Sequence, residues 1–123
     1  MTEQYFYAMN DEKELVLSQV IIEADHTQVK YHAEFLYHPS GDLLYYFESQ
    51  NYMNENDQHT TEIFFEKEKP IQLHLYVDII PEDKIQTEHR YKAQSVLEDA
   101  HYYKNKFYQK QVPEMEEILE KFR

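Results

Sequence analysis

Apolar and polar side chains alternate along the first two-thirds of the chain. In residues 71–79 the odd positions are all Ile, Leu or Val, and the even positions are mostly polar. Successive side chains of a β-strand point to opposite faces of the sheet, so a period of two indicates strands. The alternation predicts strands at residues 5–9, 15–24, 29–38, 43–51, 60–68 and 71–79.

The only glycine of the chain, Gly41, follows Pro39 and Ser40 between two of these strands. Proline presets φ for the first position of a turn, and glycine accepts a positive φ without steric cost. A three-residue hairpin loop commonly combines a type I turn with one left-handed residue. The segment therefore predicts a tight hairpin, because a phosphate-binding loop would need several glycines before a helix.

The register of this hairpin decides which side chains face the core. Pairing His38 with Asp42 and continuing without interruption places Phe35 and Tyr45 on one face, which we expect to be the core face. The opposite face then carries the even-numbered residues of both strands. In this register His32 lies opposite Glu48, with Glu34 and Tyr46 beside them.

The spacing of apolar residues changes after Pro81. Helical spacing runs from about residue 87 to 111 and is carried by Ala93, Val96, Leu97, Ala100, Tyr103 and Phe107. Pro113 then begins a second, short helix, whose apolar stripe comprises Met115, Ile118, Leu119 and Phe122.

Strands that precede helices are typical of the α+β class. We predict one domain over residues 1–123, with an antiparallel sheet of about five to six strands in residues 1–80. Two C-terminal helices, in residues 87–123, pack on one face of this sheet. With 12 Tyr and 7 Phe, the chain is too aromatic for an acidic disordered protein.

The charge of the chain is strongly acidic and uneven. Asp and Glu number 24 against 12 Lys and Arg, a net charge of -12. Residues 1–88 hold 18 acids and 5 bases, whereas residues 89–112 hold 5 bases and 2 acids. Such a field attracts basic surfaces and repels nucleic acid and anionic membranes. The charge predicts a basic protein surface as partner, without direct nucleic-acid or membrane binding.

Candidate chemistry is sparse. The chain has no Cys, no secretory signal pattern and no long apolar run, which favours a cytoplasmic protein. Glu98 and His101 form a single E-x-x-H, whereas a di-iron site needs two. The His32–Glu48 pair could tune a general base, but such cross-strand pairs ordinarily stabilise sheets. We predict no catalytic residue, no metal and no cofactor, and therefore no enzyme.

The predicted polar face is unusual because large rings lie among its acids. Its candidate partner-binding residues are Glu34, Leu44, Tyr46, Glu48, Glu62, Phe64 and Tyr76. Aromatic patches ringed by charge are typical of recognition surfaces. We therefore predict a non-enzymatic interaction protein of the inhibitor, immunity or adaptor type, whose partner could be a nucleic-acid-handling enzyme.

Two alternatives to this function stay open. The first is a homodimer through the same Tyr-rich face of the sheet. The second is a small-molecule carrier, with an aromatic pocket between sheet and helices lined by Tyr31, Phe35, Tyr45 and Phe47. A pocket large enough for a ligand would favour the carrier, and a flat acidic face would favour the interaction protein.

Overall fold

The structure of the protein is a computed structural model that describes residues 1–53 and 58–122. It contains a seven-stranded antiparallel sheet in which each strand lies beside its neighbours in the sequence. The strands are β1 (Thr2–Met9), β2 (Leu15–His26), β3 (Val29–Tyr37), β4 (Leu43–Tyr52), β5 (Gln58–Glu66), β6 (Lys69–Leu75) and β7 (Asp78–Pro81).

A helical segment follows the sheet and confirms the α+β class. One 3-10 turn (Glu82–Lys84) leads into α1 (Thr87–Lys106), a π-helical turn (Phe107–Gln111) and α2 (Val112–Glu120). The two predicted helices are thus joined end to end. Pro113 has no N–H to donate, so the regular hydrogen-bonding pattern is interrupted just after the π-helical turn.

The sheet has seven strands instead of five to six because residues 71–79 contain a turn. Leu75 pairs with Asp78, which leaves Tyr76 and Val77 as a two-residue connection, and Tyr76 has φ 59°. Two-residue hairpin turns favour positive φ and are usually marked by Gly or Asn. Tyr76 and Val77 are neither Gly nor Asn, so the alternation of apolar and polar residues continues through the turn and hides it. Ile79 is consequently not a core residue and is 66% exposed.

The core lies between α1 and the face of the sheet that it covers, which we call the inner face. Val20, Ile63 and Leu73 are fully buried there. The predicted helical stripe is confirmed, because Ala93, Val96, Leu97, Ala100 and Phe107 are all buried. The ring of Phe107 packs against the rings of two residues of β1, Tyr5 and Tyr7, at centroid distances of 6.0 and 5.6 Å.

The β3–β4 hairpin has the predicted turn. Gly41 has φ 99°, His38 N donates to the Asp42 carbonyl at 2.8 Å, and Gly41 N donates to the His38 carbonyl at 2.8 Å. The next pair, Tyr37 with Leu43, also has the predicted register. After it the register slips, because Leu36 pairs with Tyr45 instead of Leu44.

Leu44 is therefore an extra residue on β4, and this bulge reverses the faces that were predicted for the rest of the strand. Tyr46 and Glu48 lie on the inner face, where they are 3% and 7% exposed. Tyr45 and Phe47 lie on the opposite face, which we call the outer face. The predicted register was correct at the turn and wrong for the remainder of the strand pair.

The second helix packs on the core only through its beginning. Val112 and Met115 are partly buried against it. Ile118, Leu119 and Phe122 are 53, 55 and 84% exposed, so most of the predicted apolar stripe faces solvent. Within residues 1–53 and 58–122, no helix has both the length and the apolar character needed to cross a lipid bilayer.

Candidate functional site

The outer face carries carboxylates, rings and imidazoles side by side across five strands. We call this surface the acidic aromatic face and define it by Glu23, His32, Glu34, Tyr45, Phe47, Glu62, Phe64 and His74. Antiparallel pairing with alternate side chains on each face brings them together. All of these residues except Glu23 are half-buried by their neighbours.

Aromatic contacts run along this face. The rings of Tyr45 and Phe64 lie 5.1 Å apart, and Phe64 lies 5.4 Å from the imidazole of His74. On the other side, His32 meets Phe47 edge to face at 6.2 Å. Cross-strand pairs of this kind stabilise a sheet and hold each ring in a defined position. The rings are consequently ordered before any partner arrives.

The carboxylates of this face are held by polar neighbours. Tyr45 Oη donates a 2.6 Å hydrogen bond to Glu62. Burial and this bond raise the pKa of Tyr45 above its usual value, so it remains a donor. His74 Nδ1 lies 3.8 Å from Glu62. The acid side chain is thus oriented by two neighbours and is 32% exposed.

A second group of polar contacts surrounds His32. Its imidazole lies 3.5 Å from Glu23 and 3.7 Å from Glu34. Gln19 Nε2 donates to the Glu34 carboxylate at 3.3 Å. The two glutamates are therefore aligned on adjacent strands with one imidazole between them. Such an arrangement presents negative charge at fixed positions of the sheet face.

Three of the seven predicted partner-binding residues lie on the outer face, namely Glu34, Glu62 and Phe64. Leu44 is the unpaired bulge residue and is 42% exposed. Tyr76 lies instead at the β6–β7 turn, where it is 49% exposed and its ring stacks on His59 at 5.3 Å. Sequence reasoning missed Tyr45 and Phe47. Their signal was masked because residues 43–47 are all apolar or aromatic, so the alternation cannot show which of them point outward.

The other two predicted residues, Tyr46 and Glu48, belong to a buried polar cluster on the inner face. Tyr46 Oη donates to Glu48 at 2.5 Å, and Lys92 Nζ on α1 donates to the same oxygen at 3.0 Å. Gln50 Nε2 donates to the other oxygen at 3.0 Å. Both carboxylate oxygens thus accept hydrogen bonds, and the cluster ties α1 to β4.

Titration of this cluster follows from its contacts. Burial alone would raise the pKa of Glu48, but the hydrogen bonds from Tyr46 and Lys92, with the charge of Lys92, hold it below its usual value. Burial, followed by the bond to Glu48, raises the pKa of Tyr46. The carboxylate is charged and the phenol neutral at pH 7. Both are therefore structural groups of the core, not groups of a docking surface.

The predicted acid–base pair is not formed. His32 is paired with Ser49, and Glu48 is paired with Ala33. Because of the bulge at Leu44, the imidazole and the carboxylate lie on opposite faces of the sheet. His32 contacts Glu23 and Glu34 instead.

The four rings that were predicted to line a carrier pocket do not come together, for the same reason. Tyr31 and Phe35 face the helix, whereas Tyr45 and Phe47 face outward, so the four rings do not line one cavity. Phe35 is 2% exposed and packs against Tyr46 and Tyr103 at 5.0 and 5.5 Å. These rings fill the layer between sheet and helix instead of enclosing a ligand.

A polar cavity of about 430 Å³ borders the acidic aromatic face at the end of the sheet where β1 begins. Glu23 and His32 belong to both the cavity and the face, and Asp25 and Lys30 also line it. Two carboxylates thus flank an opening that is wide enough for a long side chain. In the part of the chain that the structure describes, no three His, Asp or Glu residues are grouped as metal ligands.

Comparison of the chain with protein-family models, with curated protein sequences and with solved structures finds no match. The function of the acidic aromatic face therefore has to follow from its own geometry and charge.

Proposed function

We propose that this protein is a non-enzymatic interaction protein that binds a basic surface of a partner protein through the acidic aromatic face. One observation carries the proposal: α1 covers the inner face, and the outer face presents ordered rings among oriented carboxylates. Interfaces combine aromatic residues near their centre with a charged rim. The face has this composition before any partner is bound.

The charge of the chain supports a basic partner. A net charge of -12 on 123 residues steers positively charged surfaces toward the protein and speeds their association. Nucleic acid and anionic membranes carry the same sign and are repelled. A partner whose own ligand is a polyanion, such as a nucleic-acid-handling enzyme, has the surface that this face complements. The protein would then act as an inhibitor, an immunity protein or an adaptor.

The cavity beside the face adds a site for one basic side chain. Glu23 and Asp25 flank it, and an Arg or Lys that entered would exchange water for two carboxylates. Lys30 also lines the cavity and limits its preference for cations. The cavity therefore acts as an extension of the charged rim, with the rings of Tyr45 and Phe64 nearer the centre.

Capture of the partner on the immobilised protein, followed by binding kinetics at two salt concentrations, tests this function. Glu34→Lys and Glu62→Lys should slow association and reduce its salt dependence, because they remove charge from the rim. Glu12→Lys, in the exposed β1–β2 loop, is the matched control for charge and should change association less.

Tyr45→Ala and Phe64→Ala should mainly speed dissociation, by about tenfold, since rings near an interface centre carry most of the binding energy. Tyr91→Ala is the matched ring control, because Tyr91 is 73% exposed on α1, away from the outer face. Unchanged kinetics for all four variants of the face, with the partner still bound, would place the binding surface elsewhere. Self-association lost in the Tyr45 and Phe64 variants would instead identify the face as a homodimer interface.

A further inference from the structure

The two edges of the sheet differ in how they are protected against pairing with another chain. β7 is four residues long and contains Asp78 and Pro81. Short strands, charges and proline are the usual means by which natural proteins block an edge. β1 is eight residues long, has no proline or lysine and pairs with β2 alone among the described strands. Its one charge, Glu3, is neutralised by Lys106 at 2.9 Å.

The second helix leaves the sheet at this same open edge. Along α1, Lys92 contacts Glu48 on β4, Tyr103 contacts Phe35 on β3 and Phe107 contacts Tyr5 on β1. The helix thus crosses the sheet toward β1. Beyond Phe107, Val112 and Met115 still pack against the core, whereas Ile118, Leu119 and Phe122 are 53, 55 and 84% exposed. The last turn of α2 therefore leaves the core near the β1 edge, with its apolar side chains exposed.

We propose that this edge is an interface for a second copy of the chain, with β1 paired antiparallel to β1 of the other copy and α2 packed beside its α2. A twofold axis perpendicular to the sheet, between the two β1 strands, produces both contacts at once. Such an axis keeps the helices of both copies on the same side of the joined sheet. Each α2 then lies over the first strands of the other copy, and the same surface meets itself.

The exposed apolar residues near this edge match the proposed contact. Tyr7 and Met9 point to the helix side of β1 and are 45 and 63% exposed. Ile118, Leu119 and Phe122 are between 53 and 84% exposed on the helical segment that passes them. A stable dimer buries about 800 Å² of each partner, and one ring alone contributes about 150–250 Å² when covered. These five side chains and an eight-residue strand edge supply an area of that order.

A recess and a local charge contrast favour the same occupant, against the general repulsion between two copies that each carry a net charge of -12. An apolar cavity of about 210 Å³ lies beside β1, lined in part by Met9, Leu17 and Tyr37, and it has room for a side chain of the other copy. Antiparallel helices also bring the acidic α2 of one copy toward the junction between α1 and α2 of the other. This junction carries Lys110, and the acids of α2 include Glu116, Glu117 and Glu120.

Sedimentation equilibrium of the purified chain over a range of concentrations tests the proposal. The wild type should dimerise, and Met9→Lys and Leu119→Lys should each raise the dissociation constant roughly tenfold or more. Ile79→Lys is the matched control for Met9→Lys, because Ile79 lies on the opposite edge strand with almost the same exposure, 66 against 63%. Tyr91→Lys is the control for the helix. Circular dichroism checks that each variant is folded.

Cross-linking gives a second measurement that needs no disruption of the interface. The chain has no Cys, so a single introduced thiol reports on its own neighbourhood. Leu119→Cys should be joined to its copy by a short bismaleimide, and Tyr91→Cys should not. A wild type that stays monomeric at every concentration would overturn the proposal. So would a dimer that survives both disrupting variants, or one that is lost in Tyr45→Ala and therefore uses the outer face.

Discussion

The charge reversal Glu48→Lys should lower the free energy of unfolding much more than Glu62→Lys does. The two glutamates lie on neighbouring strands and on opposite faces of the sheet. Glu48 is 7% exposed and accepts hydrogen bonds from Tyr46, Gln50 and Lys92. Glu48→Lys would leave these donors without an acceptor and would bury a second ammonium group near that of Lys92.

The expected cost follows from the contacts that are lost. Removing one partner of a buried ion pair costs about 3–5 kcal/mol, and total stabilities are about 5–15 kcal/mol. Because Lys92 is 42% exposed, solvent moderates the repulsion, and we expect the lower part of this range. Glu62→Lys removes one hydrogen bond from Tyr45 at a half-buried position and should cost about 1 kcal/mol or less.

Urea denaturation followed by circular dichroism measures the difference between the two variants. A gap of about 2 kcal/mol shifts the midpoint by roughly 1 M at typical slopes. Glu48→Gln is a milder variant that keeps a neutral acceptor for Tyr46, and it should cost about 1–3 kcal/mol. It remains measurable if Glu48→Lys does not fold at all.

The pH dependence of stability gives an independent check on Glu48. Its pKa in the folded protein is below the usual value of about 4.5. As pH falls, the unfolded chain binds the proton first, so the stabilisation present above pH 4.5 is lost as pH falls through the folded pKa. The free energy of unfolding should therefore fall less steeply at acidic pH in Glu48→Gln than in the wild type. Two results together would refute the inward placement of Glu48. These are equal urea midpoints for Glu48→Lys and Glu62→Lys, and an equal loss of stability at acidic pH in Glu48→Gln and the wild type.

Two further predictions concern the turn and the core, both read from urea denaturation. Gly41→Ala should cost about 1 kcal/mol because of φ 99°, and Gly41→Asn should cost less, since Asn tolerates positive φ better; equal costs would contradict this backbone assignment. Leu73→Ala should cost about 2–5 kcal/mol, whereas Gln72→Ala on the outer face should be nearly neutral; the reverse order would mean that β6 faces the other way.

The sequence predicted those elements whose signal is local. The alternation located the first five strands to within a few residues, and the helical spacing identified the buried stripe of α1. The turn at Gly41 was predicted because glycine adopts a positive φ without steric cost. Periodicity and turn chemistry act within a few residues of each other, so they can be read without knowing the fold.

The face assignment failed where the sequence offers no local signal. A bulge adds one residue to one strand, and nothing in the five apolar and aromatic residues from Leu43 to Phe47 shows where it falls. The one-residue shift exchanged Tyr45 with Tyr46 and moved Glu48 from a docking surface into the core. Two of the seven predicted partner-binding residues, Tyr46 and Glu48, thus lie on the inner face, and the binding role of the other five stays a prediction.

The exposed stripe of α2 could not be foreseen because an apolar stripe shows only that a helix has a face to bury. What that face meets depends on where the preceding helix ends over the sheet. Here α1 ends over β1, Met115 of α2 still packs against the core, and Ile118, Leu119 and Phe122 are exposed. If the sheet had two more strands beyond β1, the same apolar stripe could be buried against them.

The two proposed surfaces are compatible in one assembly. A twofold axis perpendicular to the joined sheet turns one copy within the plane, so both inner faces stay on the helix side and both acidic aromatic faces lie on the other. The dimer would therefore present two copies of the binding face on one side, with twice the negative charge. That geometry suits a partner with an extended basic surface or two basic sites, where the second contact forms at high effective concentration. The edge contact at β1 would then contribute to the proposed function by placing two faces together, without any residue of the edge touching the partner.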